Sequence, residues 1–178
     1  MTPKANESRT QDERVDIRRS DRAMLDNSDI TALLHEGQVA FIATCQENQP
    51  FVIPNLYWYN PGKYTIYFHT AIDGRTRTNV ENNPNVSLSV ASMGKLLPAD
   101  KAIEFSVEYS SVCVFGKARI IDNEEEARLA LQGLLDKYFP DHKAGEDYRP
   151  ITHSEIHRTA VFAVEIESWS GKQRVEGS

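Results

Sequence analysis

Short segments that alternate apolar and polar residues run through the middle of this chain and limit the folds open to it. In residues 86–90 valines and a leucine alternate with serines, and residues 112–120 repeat the pattern over a longer stretch. This period of two is typical of strands with one buried face. Turn signals such as Asn60-Pro61-Gly62 leave only short links between several of these segments, which favours antiparallel pairing.

The pattern predicts a mainly β domain with about six strands. They are residues 39–44, 51–59, 64–69, 86–90, 105–121 and 159–166. Three helices are expected at 28–36, 73–82 and 122–139, and residues 92–104 are expected to form a loop or an irregular helix. The predicted fold is an antiparallel sheet or small barrel with peripheral helices, because a doubly wound fold would alternate strands with long helical crossovers.

The length of 178 residues fits one domain. Residues 1–17 are polar and predict a flexible tail, and residues 18–178 predict a single domain. A net charge of −6 argues against a nucleic-acid or anionic-membrane binder, and no apolar run approaches a membrane span. Cys45 and Cys113 form no CxxC pair, which favours two reduced thiols in a cytoplasmic protein.

The segment 68–79 (FHTAIDGRTRTN) carries the clearest chemical signal. A strand there runs through a turn into a helix whose first residues include Arg75 and Arg77. Arginine is unfavourable at a helix N-terminus unless an anion compensates it, and guanidinium groups bind phosphate well. The segment therefore predicts a phosphate-binding site; the alternative is a solvated surface helix with Asp73 as its N-cap.

Histidines offer one further candidate. His69 ends a strand beside the arginines and is the candidate for proton delivery or cofactor contact, with a structural hydrogen bond as the alternative. His153 and His157 have metal-ligand spacing, but we expect a solvated pair and no metal site. Aromatic residues between 51 and 68 fit either a planar ligand or an ordinary core. The chain contains neither a Walker A motif nor a Rossmann glycine fingerprint.

Taken in order, several segments resemble the pyridoxamine-phosphate-oxidase-like flavoproteins, the FMN-binding split-barrel superfamily. Within it they are most similar to the branch with nitroimidazole-resistance reductases. The matching segments are 19–24 (RSDRAM), 66–71 (IYFHTA), 82–87 (NNPNVS), 112–119 (VCVFGKAR) and 164–167 (VEIE) with 171–172 (GK). The resemblance implies a six-stranded antiparallel split β-barrel with flanking α-helices, forming a homodimer with FMN at the subunit interface.

The resemblance also implies a site. The phosphate side of FMN would contact His69, Thr70, Arg75, Thr76 and Arg77, and the isoalloxazine ring would lie along a strand and near a polar residue of a second strand. Trp169 would close the site from the partner subunit. The ring contacts implied are Val52, Ile53, Pro54, Asn55 and Ser111.

The implied activity is an FMN-dependent oxidoreductase that reduces a small electron-poor substrate, possibly nitroaromatic, with a nicotinamide donor. Vitamin B6 oxidase activity is not expected, because residues 48–59 lack the family's Arg and Lys, Thr76 replaces a second basic residue, and the chain lacks the C-terminal Arg-Leu-x-Pro motif. The alternatives are a non-catalytic flavin-binding protein, a cofactor-free domain, or the same fold using F420 or haem. For haem, only His142, His153 and His157 are loose axial candidates.

Overall fold

A seven-stranded antiparallel sheet forms the body of the molecule in the computed structural model, which describes residues 12–175. The strands are β1 (Ala40–Gln46), β2 (Gln49–Asn55), β3 (Tyr57–Asn60), β4 (Thr65–Ala71), β5 (Asn85–Leu97), β6 (Ser106–Ile120) and β7 (Thr159–Arg174). Their order across the sheet is β2-β1-β5-β6-β7-β4-β3. The strong twist of so many strands lets the sheet curl around one core.

Four α-helices flank the sheet. They are α1 (Asn27–Glu36), α2 (Arg75–Asn82), α3 (Glu124–Tyr138) and α4 (His153–Ile156). Helix α1 ends before Gly37, as predicted, but its N-cap is Asp26, whose carboxylate accepts the Ser28 N–H at 2.8 Å. The helix therefore begins one residue before the predicted residue 28, because an aspartate side chain caps it there.

The predicted class, an antiparallel split barrel with flanking helices, is confirmed, although the sheet has seven strands and not six. The extended run 51–59 breaks at Leu56. Strand β2 pairs with β1, whereas β3 pairs with β4 at the other end of the strand order. A period of two continues through such a change of partner, so the sequence alone showed one strand.

Two strands are longer than predicted. Strand β5 continues to Leu97, where a loop was expected, and β7 runs past residue 166 to Arg174. Both extensions pair with β6, whose 15 residues offer a ladder on each side. Backbone pairing therefore decides the strand ends here, and the weak alternation of the side chains did not reveal them.

Two apolar clusters lie on opposite sides of β4 and β7. Inside the curled sheet, Phe68 and Phe162 stack with ring centres 4.7 Å apart. On the other side, Tyr67 packs beneath α3 with Ala127 and Ala130. This alternation along β4 decides where the side chains that follow Phe68 point.

The first described residues lie against β7. Ser168 donates a hydrogen bond to Asp12 at 2.7 Å, and Arg14 pairs with Glu167 at 3.2 Å. The predicted flexible tail over residues 1–17 falls largely on residues 1–11, which lie outside the described part of the chain. Within residues 12–175, none of the helices has the length and apolar character to cross a membrane.

Candidate functional site

Helix α2 begins without a side-chain cap. Strand β4 ends at Ala71, and after two intervening residues Gly74 stands at the N-cap position, where it has no side chain to cap the helix. Asp73 does not cap the helix, so this part of the surface-helix alternative was wrong. The first turn contains no acidic residue. Because no side chain caps this end of the helix, its N–H groups and the positive end of the helix dipole favour an anion there.

The two arginines of the first turn point to different surroundings. The Arg75 guanidinium is exposed and lies 5.1 Å from the centre of the Phe51 ring, near the end of the β1–β2 hairpin. Arg77 instead donates to Glu81 at 2.9 Å and to the carbonyl of Ile72 at 3.0 Å. Because Arg77 is already engaged, Arg75 is the stronger candidate for binding an anionic ligand.

Buried polar side chains hold the start of α2 in place. Asn79 donates to the Thr44 hydroxyl at 2.8 Å, and both residues are buried. The Thr76 side chain is buried as well, so that residue can offer a ligand its backbone N–H but little of its hydroxyl. An open cavity of about 300 Å³ lies beside this anchor, lined by Gln46, Glu47, Gln49, Phe51, Arg75 and Asn79.

Strand β2, predicted to run along a flavin ring, is an edge strand of the sheet. Val52 and Pro54 point outward and are exposed, whereas Ile53 faces the core. Asn55 donates to the backbone carbonyl of His69 at 2.9 Å and so ties the end of β2 to the end of β4. The outer backbone edge of β2 has no sheet partner within the described residues and can offer hydrogen bonds to a ligand.

The outer face of the sheet next to β2 carries several small side chains between larger ones. Strand register places on this face Phe41, Ala43, Val52, Pro54, Ser87, Ser89, Ala91, Ser111, Cys113 and Phe115. Phe41 and Val52 are 53% and 55% exposed. Ser111 donates weakly to the Lys172 carbonyl at 3.5 Å, and Thr70, at the end of β4, donates to its neighbour Ala71 at 2.9 Å.

His69 lies away from this surface, on β4 near the other end of the strand order. Its ring lies on the α3 side of β4, where it lines a cavity of about 440 Å³ that none of the α2 arginines reaches. Its Nδ1 atom is buried and has no hydrogen-bond partner, and burial lowers the pKa of the ring below its usual value. Sequence adjacency grouped His69 with the arginines, but the strand alternation separates their side chains. Its role in proton delivery stays a prediction.

Trp169 lies in the core of its own chain. It is 8% exposed, packs against Tyr59 and Tyr64, and donates to the Asn27 side chain at 3.0 Å. The ring therefore has little surface left for a ligand or for a partner subunit's site. This contrasts with the expected closing role, which assumed that residue 169 lies in a tail beyond the last strand.

The other histidines lie at the surface. His142, His153 and His157 are all exposed. Together with Glu124, which the sequence did not connect to them, His153 and His157 bring their ligand-type atoms within 4.8 Å of one another. The His153 Nδ1 atom lies 2.6 Å from a Glu124 oxygen, so a hydrogen bond already accounts for this contact.

The chain matches the family model of pyridoxamine 5′-phosphate oxidase over residues 26–173 and belongs to that family. No curated protein matches it in sequence. Among solved structures, the flavocytochrome Anf3 from Azotobacter vinelandii is 27% identical, with a TM-score of 0.81 over 92% of this chain and 75% of Anf3.

Two further structures share the fold at lower identity. A candidate 5-nitroimidazole antibiotic resistance protein from Bacteroides thetaiotaomicron is 22% identical, with a TM-score of 0.71 over 85% of this chain and 86% of its own. An FAD- and haem-binding protein from Mycobacterium smegmatis is 21% identical, with a TM-score of 0.78 over 88% of this chain and 74% of its own.

Proposed function

We propose that this protein is a flavin-dependent oxidoreductase that binds FMN at the start of α2. One observation carries the proposal: a helix start without a side-chain cap, with the exposed Arg75 in its first turn, lies beside the end of the β1–β2 hairpin. Backbone N–H groups and a guanidinium are the donors that a phosphate monoester requires. Membership of the family and the flavocytochrome among the similar structures support a flavin as the ligand.

The ring of the flavin fits the face next to β2. The β1–β2 hairpin connects the surroundings of Arg75 to the unpaired edge of β2, where backbone groups can hydrogen-bond a ligand. The small side chains of β1, β5 and β6 lie next to this edge. Small residues allow a planar ring to approach the sheet closely. A bound flavin supplies hydride or electron transfer at its N5. The protein anchors the phosphate, hydrogen-bonds the ring and supports one of its faces.

A second copy of the chain completes this site in our proposal. Phe41 and Val52 are exposed on this outer face, and the far part of the β5–β6 hairpin exposes Met93, Leu96, Ile103 and Phe105. Apolar side chains exposed together on one structural unit are typical of interfaces. We propose a homodimer that covers this face and encloses the two flavins, which would keep water away from the reacting ring.

The substrate class and donor are also proposals. We propose a small electron-poor substrate, such as a nitroaromatic compound, and a nicotinamide donor; the resistance protein that shares the fold gives the nitro compound as a first test. Two free cysteines fit a reducing compartment, and we propose the cytoplasm. FAD and F420 are larger than FMN and need further room beyond the phosphate. A flavin-containing protein without turnover would favour a non-catalytic flavin-binding protein, and a colourless protein would favour a cofactor-free domain.

The test is the flavin content of the purified protein. We expect FMN in the supernatant after denaturation, identified by chromatography against FAD and F420 standards. The double variant Arg75→Ala/Arg77→Ala should lose most of it, whereas Lys143→Ala, a change at an exposed loop lysine, should not. Undiminished flavin in the folded double variant would exclude the phosphate site.

A further inference from the structure

One carboxylate and two imidazoles from different helices meet at the surface beside α4. Glu124 is the first residue of α3, His153 is the first residue of α4, and His157 directly follows α4. Residue 157 keeps a right-handed helical conformation, so the two imidazoles lie on one side of this turn, with ring centres 4.1 Å apart. The spacing of the histidines predicted only a solvated pair, because Glu124 lies 29 residues before His153 in the chain.

The ligand-type atoms of these three side chains are close enough to share one ion. They all lie within 4.8 Å of one another. Oxygen and nitrogen ligands lie about 2.0–2.2 Å from a zinc ion, so rotations of these side chains can bring all three atoms onto one metal. The hydrogen bond between His153 Nδ1 and Glu124 Oε2 does not involve His157, whose ligand atom nevertheless lies within the same distance.

The carboxylate of Glu124 is held in a way that suits a metal ligand. Its Oε1 atom accepts a hydrogen bond from Arg128 at 2.7 Å, and Oε2 is the atom that faces His153. Carboxylates that bind a metal are themselves commonly hydrogen-bonded by a second layer of residues. Arg128 also donates to the backbone carbonyl of Ile151, two residues before His153. The same guanidinium therefore fixes the position of Glu124 relative to the start of α4.

The cluster borders a cavity of about 240 Å³, and both Glu124 and His157 contribute to its lining. Further lining residues are Ile156 and Thr159. A zinc ion is commonly four-coordinate, and sites with three protein ligands keep the fourth position for water or a small ligand. The cavity gives such a ligand access to a metal ion held by the cluster.

We propose that Glu124, His153 and His157 bind one divalent transition-metal ion of the zinc type. Two imidazole nitrogens and one carboxylate oxygen form a donor set that suits zinc, whereas Mg²⁺ and Ca²⁺ take oxygen ligands. The bound ion connects α3 to α4 and thereby stabilises the packing of the two helices. The proposal does not rest on the flavin, because none of the three residues belongs to the site that we assign to FMN.

Calorimetric titration of the full-length protein with Zn²⁺ tests the proposal, after removal of any affinity tag and dialysis against a chelator. We expect saturable binding of one Zn²⁺ per chain and no binding of Mg²⁺ at the same concentrations. His153→Ala and His157→Ala should each weaken zinc binding at least tenfold, since even residues that only orient a metal ligand cost 10- to 100-fold. Glu124→Gln should also weaken it, because it removes the charged ligand and keeps the size of the side chain.

His142→Ala is the matched control, because this exposed histidine lies outside the cluster, and its zinc affinity should equal that of the unaltered protein. Thermal unfolding without zinc shows that each variant folds. Added zinc should raise the Tm of the unaltered protein and of His142→Ala, but not that of His153→Ala/His157→Ala. The proposal is overturned by the absence of saturable binding, or by full zinc affinity in the double variant or in Glu124→Gln.

Discussion

At the scale of single residues, the start of α2 shows what a sequence motif leaves open. Arg75 and Arg77 are equivalent in the sequence, yet one reaches the hairpin of β1 and β2 and the other turns back to Glu81 and Ile72. The motif indicates an anion-binding site, and that stays a prediction. It could not predict which guanidinium is free, because that depends on an acidic side chain one helical turn later and on the path of the preceding turn.

The two arginines should therefore differ in their effect on flavin affinity. We expect Arg75→Ala to weaken FMN binding by about 10- to 100-fold, which corresponds to about 1.5–3 kcal/mol for a charged hydrogen bond. Arg77→Ala should have a clearly smaller effect. Fluorescence titration of the apoprotein with FMN measures both constants, and equal losses in the two variants would contradict our assignment.

At the scale of elements, the prediction was accurate where a periodic pattern and a cap coincided. Helix α3 was expected at 122–139 and spans Glu124–Tyr138, because three glutamates, an apolar stripe and Pro140 mark it clearly. The predicted single strand 51–59 is two strands in the structure, and β7 extends eight residues beyond its predicted end. Strand ends depend on pairing partners that lie far away in the sequence. The outward and inward faces of β4 could be read from alternation, but which helix covers His69 could not.

The close packing of α3 against the sheet at Gly133 gives a prediction at this scale. A Cβ atom at Gly133 would lie 2.2 Å from the Trp58 ring, and that ring is held by stacking on Tyr67. Gly133→Ala should destabilise the protein by about 1–3 kcal/mol despite the higher helix propensity of alanine, because overpacking outweighs it. Thermal unfolding checks this, with Leu129→Ala at an exposed position of the same helix as control.

At the scale of the whole molecule, the proposed dimer and the flavin site should fail together. Phe41→Glu/Val52→Glu places charges on the outer face next to β2, and we expect monomers with little bound flavin. Leu129→Glu, a similar change on exposed α3, should leave the dimer intact. Light scattering after size-exclusion chromatography gives the mass. A stable dimer of the double variant with full flavin content would show that another surface forms the interface.

Ion pairs across elements should make the fold sensitive to acid. Two hydrogen bonds from Arg119 hold the pKa of Glu126 below its usual value, so its carboxylate favours the folded state. This contribution is fully present above about pH 4.5 and is lost as the pH falls through the lowered pKa. Glu126→Gln should be less stable at pH 7 and lose less on further acidification. Urea unfolding at pH 7 and pH 3.5 measures this, and parallel losses in both proteins would refute it.

The central claim is a flavin anchored at the start of α2, and a crystal structure of the protein grown with FMN tests it most directly. We expect the phosphate against the N–H groups of residues 75–77 and the Arg75 guanidinium, with the ring along β2 at the interface of two chains. Density for the phosphate elsewhere, or an empty α2 start in crystals of a yellow protein, would contradict the account.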